Sequence, residues 1–233
     1  MADLDTWPGR EHREPSRSTP GWSLRRPLAQ WLRDEGRNAA GKRVLDVGCG
    51  VKPYYPFFAQ AASYVGVDVQ ENPHADLTGS AEALPVEDGS FDIVLCTQVL
   101  EHVDDPGRVV SELRRVTAPG GRVLASTHGV MLYHPNPQDL WRWTHTGLER
   151  LFRDGGFANV TVHPGAGSAE ALAFLIGNYL HLLAKRAGAA MLARPAIALL
   201  NAAAAALDAR VSLLRDPVPG ALFANLHVVA VKE

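Results

Sequence analysis

The sequence predicts an α/β protein: a mostly parallel sheet with helices on both faces. Three observations carry that expectation. Short apolar runs of strand length alternate with segments of helical spacing. The connections between them are brief, as crossover units require. A glycine-bearing turn, "VGCG", closes the first strong apolar run, where sheets of this class bind ligands. The 233 residues suit one domain with an insertion, and 46% of them are apolar, enough for a sizeable core.

The elements follow in order. Residues 1–21 are polar and proline-spaced, lack a signal-peptide core, and are expected to form a flexible lead-in to a single domain over 22–233. In "WSLRRPLAQWLRDEG" the apolar residues Leu24, Leu28, Trp31 and Leu32 share a helical face, and Gly36 is a stop. "RVLDVG" is a buried strand and "YYPFFAQAA" a helix. "YVGVDV" is the second strand, "ADLTGSA" a weak third and "FDIVLCTQ" a strong fourth. "PGRVVSELRRVTAPGG" reads as an amphipathic helix closed by proline and glycine, and "RVLAST" as the fifth strand. "TGLERLFRDGGF" is a helix capped by Thr146, "ANVTVHP" the sixth strand and "LHVVAVKE" the seventh. Residues 168–215 are rich in alanine and leucine. Their uncharged runs fall short of the ~20 residues of a membrane span, so two or three packed helices are expected. A peripheral membrane contact and a homodimer face are the alternatives for this insertion.

The formal charge of −2 argues against a general nucleic-acid binder. Cys49 and Cys96, each within an apolar run, fit reduced thiols and a cytoplasmic setting. No paired cysteines or H-x-x-x-H spacing occur, so no metal site is expected.

Gly48 and Gly50 allow close approach to the backbone, and Asp68, at the end of the second strand, suits the hydroxyls of a ribose. A pyrophosphate loop would place a third glycine at Pro53, which has no amide hydrogen. Asp46 would repel a phosphate and suit a cation. The ligand that fits is S-adenosylmethionine, which has a ribose and a sulfonium but no phosphate.

The series "VLDVGCG", "VGVDV", "AEALPVEDGSFDIVLCTQVLEHVDDP" and "LRRVTAPGGRVLAST" resembles the class I S-adenosylmethionine-dependent methyltransferases over residues 43–157. The resemblance implies a Rossmann-like seven-stranded sheet with the last strand antiparallel between the fifth and sixth. It implies cofactor contacts at Asp46, Gly48, Cys49, Gly50, Asp68, Val69, Ser80, Ala81, Glu82, Thr97 and Gln98. Two positions depart from the pattern: Lys52 stands where many members have glycine, and Ser80 where many have aspartate. Within "LEHV", His102 reads foremost as a structural histidine.

"HPNPQDLWRWT" resembles an HxxPxDxxRxT segment of bacterial methyltransferases acting on glycans and natural products. Its counterparts here are His134, Pro137, Asp139, Arg142 and Thr144. Transfer to a hydroxyl requires a base, so His134 is the first candidate and His128 the second. Asp139 and Arg142 either orient that base or brace a turn. The function expected is O-methylation of a small molecule such as a sugar, glycolipid precursor or secondary metabolite. The alternatives are N- or C-methylation and binding of the cofactor without turnover. No "NPPY"-like tetrad follows the fourth strand, which argues against a nucleic-acid methyltransferase.

Overall fold

A computed structural model describes residues 4, 6–135 and 137–233. Seven strands form one sheet: β1 (Arg43–Val47), β2 (Ser63–Asp68), β3 (Leu77–Thr78), β4 (Phe91–Thr97), β5 (Thr117–His128), β6 (Asn159–Pro164) and β7 (Asn225–Val231). Their order is β3-β2-β1-β4-β5-β7-β6. β7 runs antiparallel to both of its neighbours, and the other pairings are parallel. This is the topology expected from the resemblance.

Alternation along the central strands builds two cores. Val94 and Cys96 of β4 face one side, Ile93 and Leu95 the other. The first side is covered by α3 (Pro106–Val116) and α4 (His145–Asp154). α3 buries Val109, Val110, Leu113 and Val116 on one stripe, each worth about 2 kcal/mol of transfer free energy. Asp105 caps it by accepting the Arg108 amide at 3.0 Å. The second side is covered by α2 (Trp22–Gly36), which buries Leu28, Ala29 and Leu32.

Four expectations differ from the structure. "YYPFFAQAA" yields only a 3-10 turn, Tyr55–Phe58, with Tyr54 and Phe58 drawn into the core. β5 starts at Thr117, with the glycine pair Gly120–Gly121 absorbed in an irregularity opposite Phe91 and Ile93. α4 is capped by Thr144, whose hydroxyl accepts the Gly147 amide at 3.1 Å, and Thr146 lies inside the first turn. The lead-in is packed: a short helix α1 (Arg10–Arg13) buries Arg13, whose guanidinium donates to the carbonyls of Trp7, Pro8 and Pro53. Residues 1–3 and 5 of this lead-in lie outside the described residues.

The insertion forms two long helices, α5 (Ser168–Arg186) and α6 (Ala190–Arg210). The Asp208 carboxylate on α6 accepts the amides of Ala169 and Glu170 in the first turn of α5. Glu170 pairs with Arg26 on α2. Asn201 accepts from Ser23 and donates to the carbonyls of Arg17 and Thr19, which ties α6 to α2 and the lead-in.

Candidate active site

Two cavities meet over the carboxyl ends of β1, β2 and β4. The first, a groove of about 340 Å³, is lined by Gly48, Asp68, Val69, Ser80, Ala81, Glu82, Gln98, His102, Asp104 and their neighbours. Gly48 is held at φ 67°, and a Cβ there would sit 2.4 Å from Val99, so glycine is required by both backbone and packing. Gly50, at φ 50°, has open space where a Cβ would stand and lies outside the groove lining. Its amide donates to Asp68 Oδ2 at 2.8 Å, and the Gln70 amide donates to Oδ1 at 3.0 Å. These bonds fix the carboxylate and leave a lone pair on each oxygen for two hydroxyls. Val69, exposed beside it, offers an apolar wall. The groove's charged side chains are Asp68, Glu82 and Asp104, with no lysine or arginine. Such a lining fits a nucleoside bearing positive charge and rejects a phosphate.

Other expected cofactor residues lie elsewhere. Asp46 is sealed beneath the turn, and the Tyr64 hydroxyl donates to its Oδ2 at 2.6 Å. Burial raises its pKa to about 7, against the pull of Tyr64 and Lys52. Asp46 therefore does not present its charge to the groove as expected. Cys49 is also buried, with its thiol pushed up to about 12 by burial, and its sulfur fills the space beside Gly66. Thr97 ends β4 outside the groove lining. Lys52 adopts φ 51°, a conformation glycine would take without strain, and its ammonium pairs with Asp76. The Ser80 hydroxyl accepts the Glu82 amide at 3.1 Å, so it braces its own turn.

The second cavity, about 650 Å³, is lined by polar groups including Arg25, Tyr54, Glu101, His134, Asn178 and His181. His12 of α1, residues 19–21 and α2 supply one wall, and α5 another. Gln98 and His102 line both cavities, so the groove and the chamber share that wall. Gln98 is held at φ 58°, its amide nitrogen donating to Ser126 at 3.0 Å and Asn225 at 3.1 Å. Two neighbouring strands thus hold this non-glycine residue in the left-handed region.

His102, read from sequence as structural, stands at the junction. Its Nδ1 donates to the Gln138 carbonyl, which leaves Nε2 with the lone pair. His134 lies 5.8 Å away between ring centroids, and His128 lies 6.1 Å from His134. Burial, then the neighbouring His102, lowers the pKa of His134, which stays neutral at pH 7. His128 is buried, and desolvation lowers its pKa to about 3. Its Nδ1 lies 3.3 Å from Glu101 Oε1 without hydrogen-bond alignment, while the Thr127 hydroxyl donates to Glu101 Oε2 at 2.8 Å. Burial thus leaves His128 far too weak a base for the role expected of it.

Asp139 and Arg142 form a forked ion pair at 2.5 and 2.7 Å, and Asp139 also accepts the His134 amide at 2.8 Å. Arg142 holds the Asp139 carboxyl well below the usual range. Arg142 further donates to the Leu132 carbonyl. The pair therefore fixes the loop carrying His134; neither residue lines the groove or the chamber. Trp141 and Trp143 stack at 5.9 Å, and Trp141 donates to the Val103 carbonyl. Asn136, inside this segment, lies outside the described residues. No cluster able to hold a metal occurs among the described residues.

A family profile described as a methyltransferase domain matches residues 45–125. Over those residues the chain is similar to that domain. Its curated relatives include the ubiquinone biosynthesis O-methyltransferase of Pseudomonas aeruginosa (strain LESB58), 38% identical over 116 residues, 42% of this chain and 48% of that protein. The Acinetobacter baylyi protein of the same name is 34% identical over 126 residues, 44% of this chain and 53% of that protein. The chain thus spans about half the length of the curated relatives it matches. Among solved structures, an S-adenosylmethionine-dependent methyltransferase from Archaeoglobus fulgidus aligns with a TM-score of 0.57 and 16% identity, over 96% of this chain and 97% of that one. The [4+2]-cyclase SpnF aligns with a TM-score of 0.56 and 20% identity, over 88% and 79%. These likenesses support the methyltransferase fold well beyond the 45–125 match, and the cyclase shows that the fold alone does not name a reaction. The acidic, phosphate-rejecting groove fits a cationic nucleoside such as S-adenosylmethionine.

Proposed function

We propose that the protein transfers a methyl group from S-adenosylmethionine to a hydroxyl of a small-molecule acceptor. One observation carries this reading: a groove fitted to a cationic nucleoside shares its Gln98–His102 wall with a histidine-lined chamber. In this reading Asp68 takes the ribose hydroxyls, Val69 and Ala81 flank the adenine, and Gln98 positions the methionine end. When bound, S-adenosylmethionine supplies an electrophilic methyl on a sulfonium. The chain's residues hold the acceptor oxygen in line with that methyl and remove its proton. Nε2 of His102 is the proton acceptor, with His134 beside it as the second base. Asp139 and Arg142 position that pair through the loop. Arg25, half-buried in the chamber wall with no ion pair among the described residues, faces the acceptor and favours one carrying an acidic or strongly polar group. Sugars, glycolipid precursors and phenolic metabolites have the hydroxyls this chemistry requires.

The test is calorimetry with S-adenosylmethionine, then methyl-release assays across a hydroxylated metabolite panel with pH–rate profiles for H102A and H134A. Binding to the wild type, with an acid limb that disappears in one of the two variants, is expected. Turnover with unchanged profiles in both would remove the base and favour N- or C-methylation. Absence of binding would sink the reading.

A further inference from the structure

The α5–α6 hairpin has a bonded base and a bare tip. Its base is stapled by Asp208, Asn201 and the Glu170–Arg26 pair. Beyond Gly177 in α5, no side chain is buried until Ile197 in α6. Tyr179, Leu180, Leu182, Leu183, Met191 and Leu192 fall in that stretch and are 40% to 81% exposed. Scattered exposed leucines are ordinary, but this concentration marks an interaction surface. Its charge is of one sign. Lys185, Arg186 and Arg194 lie among these residues, and no aspartate or glutamate occurs from residue 171 to 207.

We propose that this tip docks the protein on an anionic bilayer surface. The apolar side chains enter the headgroup–acyl boundary, and Lys185, Arg186 and Arg194 meet acidic headgroups. Ala190–Arg210 is long and apolar enough to cross a membrane, but the fold opposes crossing. Asn201 and Asp208 are buried and bonded to α2, the lead-in and α5, and a spanning helix would strip both of those partners. The helix therefore lies at the surface. Phe174, Asn178 and His181 of α5 line the histidine chamber, so the docked helix also walls the acceptor site. The docking stands apart from the methyl-transfer reading, since it requires neither cofactor nor turnover.

The experiment is flotation of the full chain with vesicles of phosphatidylcholine, alone or mixed with phosphatidylglycerol. Wild type is expected to float with the mixed vesicles, less so as salt rises, and to stay unbound with phosphatidylcholine alone. L183E/L192E should abolish flotation. K185Q/R186Q/R194Q should weaken it by on the order of 100-fold. All these positions are exposed, so both variants should keep the wild-type circular-dichroism melt. Three outcomes overturn the proposal: no wild-type flotation at low salt, equal flotation on neutral vesicles, or variants that float like wild type. A doubled mass in sedimentation that L183E/L192E removes, without flotation, would assign the tip to a second copy instead.

Discussion

Asp46 carries a cost that depends on pH. In the unfolded chain its carboxyl titrates near the ordinary 3.8, and in the fold near 7. Between those values the folded state holds a proton that the unfolded chain releases, so its contribution to stability falls as pH rises across that window. His128 and His227 act with the opposite sign, each lowered to about 3 by burial, so their contribution is lost as pH falls below about 6.5. Between about pH 5 and about pH 6 the two histidines outweigh the one carboxyl, so urea midpoints should rise with pH, and those of Asp46→Asn should rise more steeply than those of the wild type. An unchanged slope would refute the assignment. At Asp68, replacement by alanine should weaken S-adenosylmethionine about 10- to 100-fold by calorimetry, the scale of hydrogen bonds to a charged group. Gly48, Gly50 and Asp68 were legible in the sequence because a turn at a strand end and an acid one strand later are local patterns. The burial of Asp46 was not, because it depends on Tyr64, which pairs with it only across the sheet. The place of His102 was equally hidden. It depends on Gln138, 36 residues away.

At the scale of elements, termini decide more than interiors. α5 starts without a cap of its own, and Gly167 leaves room for Asp208, whose carboxylate a Cβ would meet at 2.4 Å. Asp208→Ala strips two amides of their acceptor and should cost about 1–2 kcal/mol in chemical unfolding. Thr144→Ala should cost about 1 kcal/mol by uncapping α4, whereas Thr146→Ala should be nearly neutral. Equal effects at the two threonines would contradict the observed cap. Helix positions were readable from apolar spacing: α3 and α4 bury the residues their periodicity selects. The cap of α4 was misread because Thr144 and Thr146 are both good capping residues and only backbone geometry separates them. The 3-10 turn was not legible because apolar spacing reads alike for a helix and for a short turn that sends Tyr54 and Phe58 into the core.

Across the molecule, the amino-terminal segment is a wall of the chamber rather than a loose leader. Arg13→Ala removes a charged donor from three carbonyls and should destabilise the fold by about 2 kcal/mol. It should also raise the acceptor KM more than it lowers kcat, because His12 and residues 19–21 line that chamber. A selective loss of kcat would contradict this placement. Polarity and prolines hid the packing, because its partners, Pro53 and Asn201, lie 40 and more than 180 residues away. The order of the sheet has a temporal side as well. β7 follows the other six strands of the sheet in the chain, yet it lies between β5 and β6. Until it emerges, each of those strands presents a bare ladder to its surroundings, and β6 has no partner. A nascent chain of this topology therefore stays open to chaperones and to self-association until the strand that joins its two outer edges has emerged and slid home.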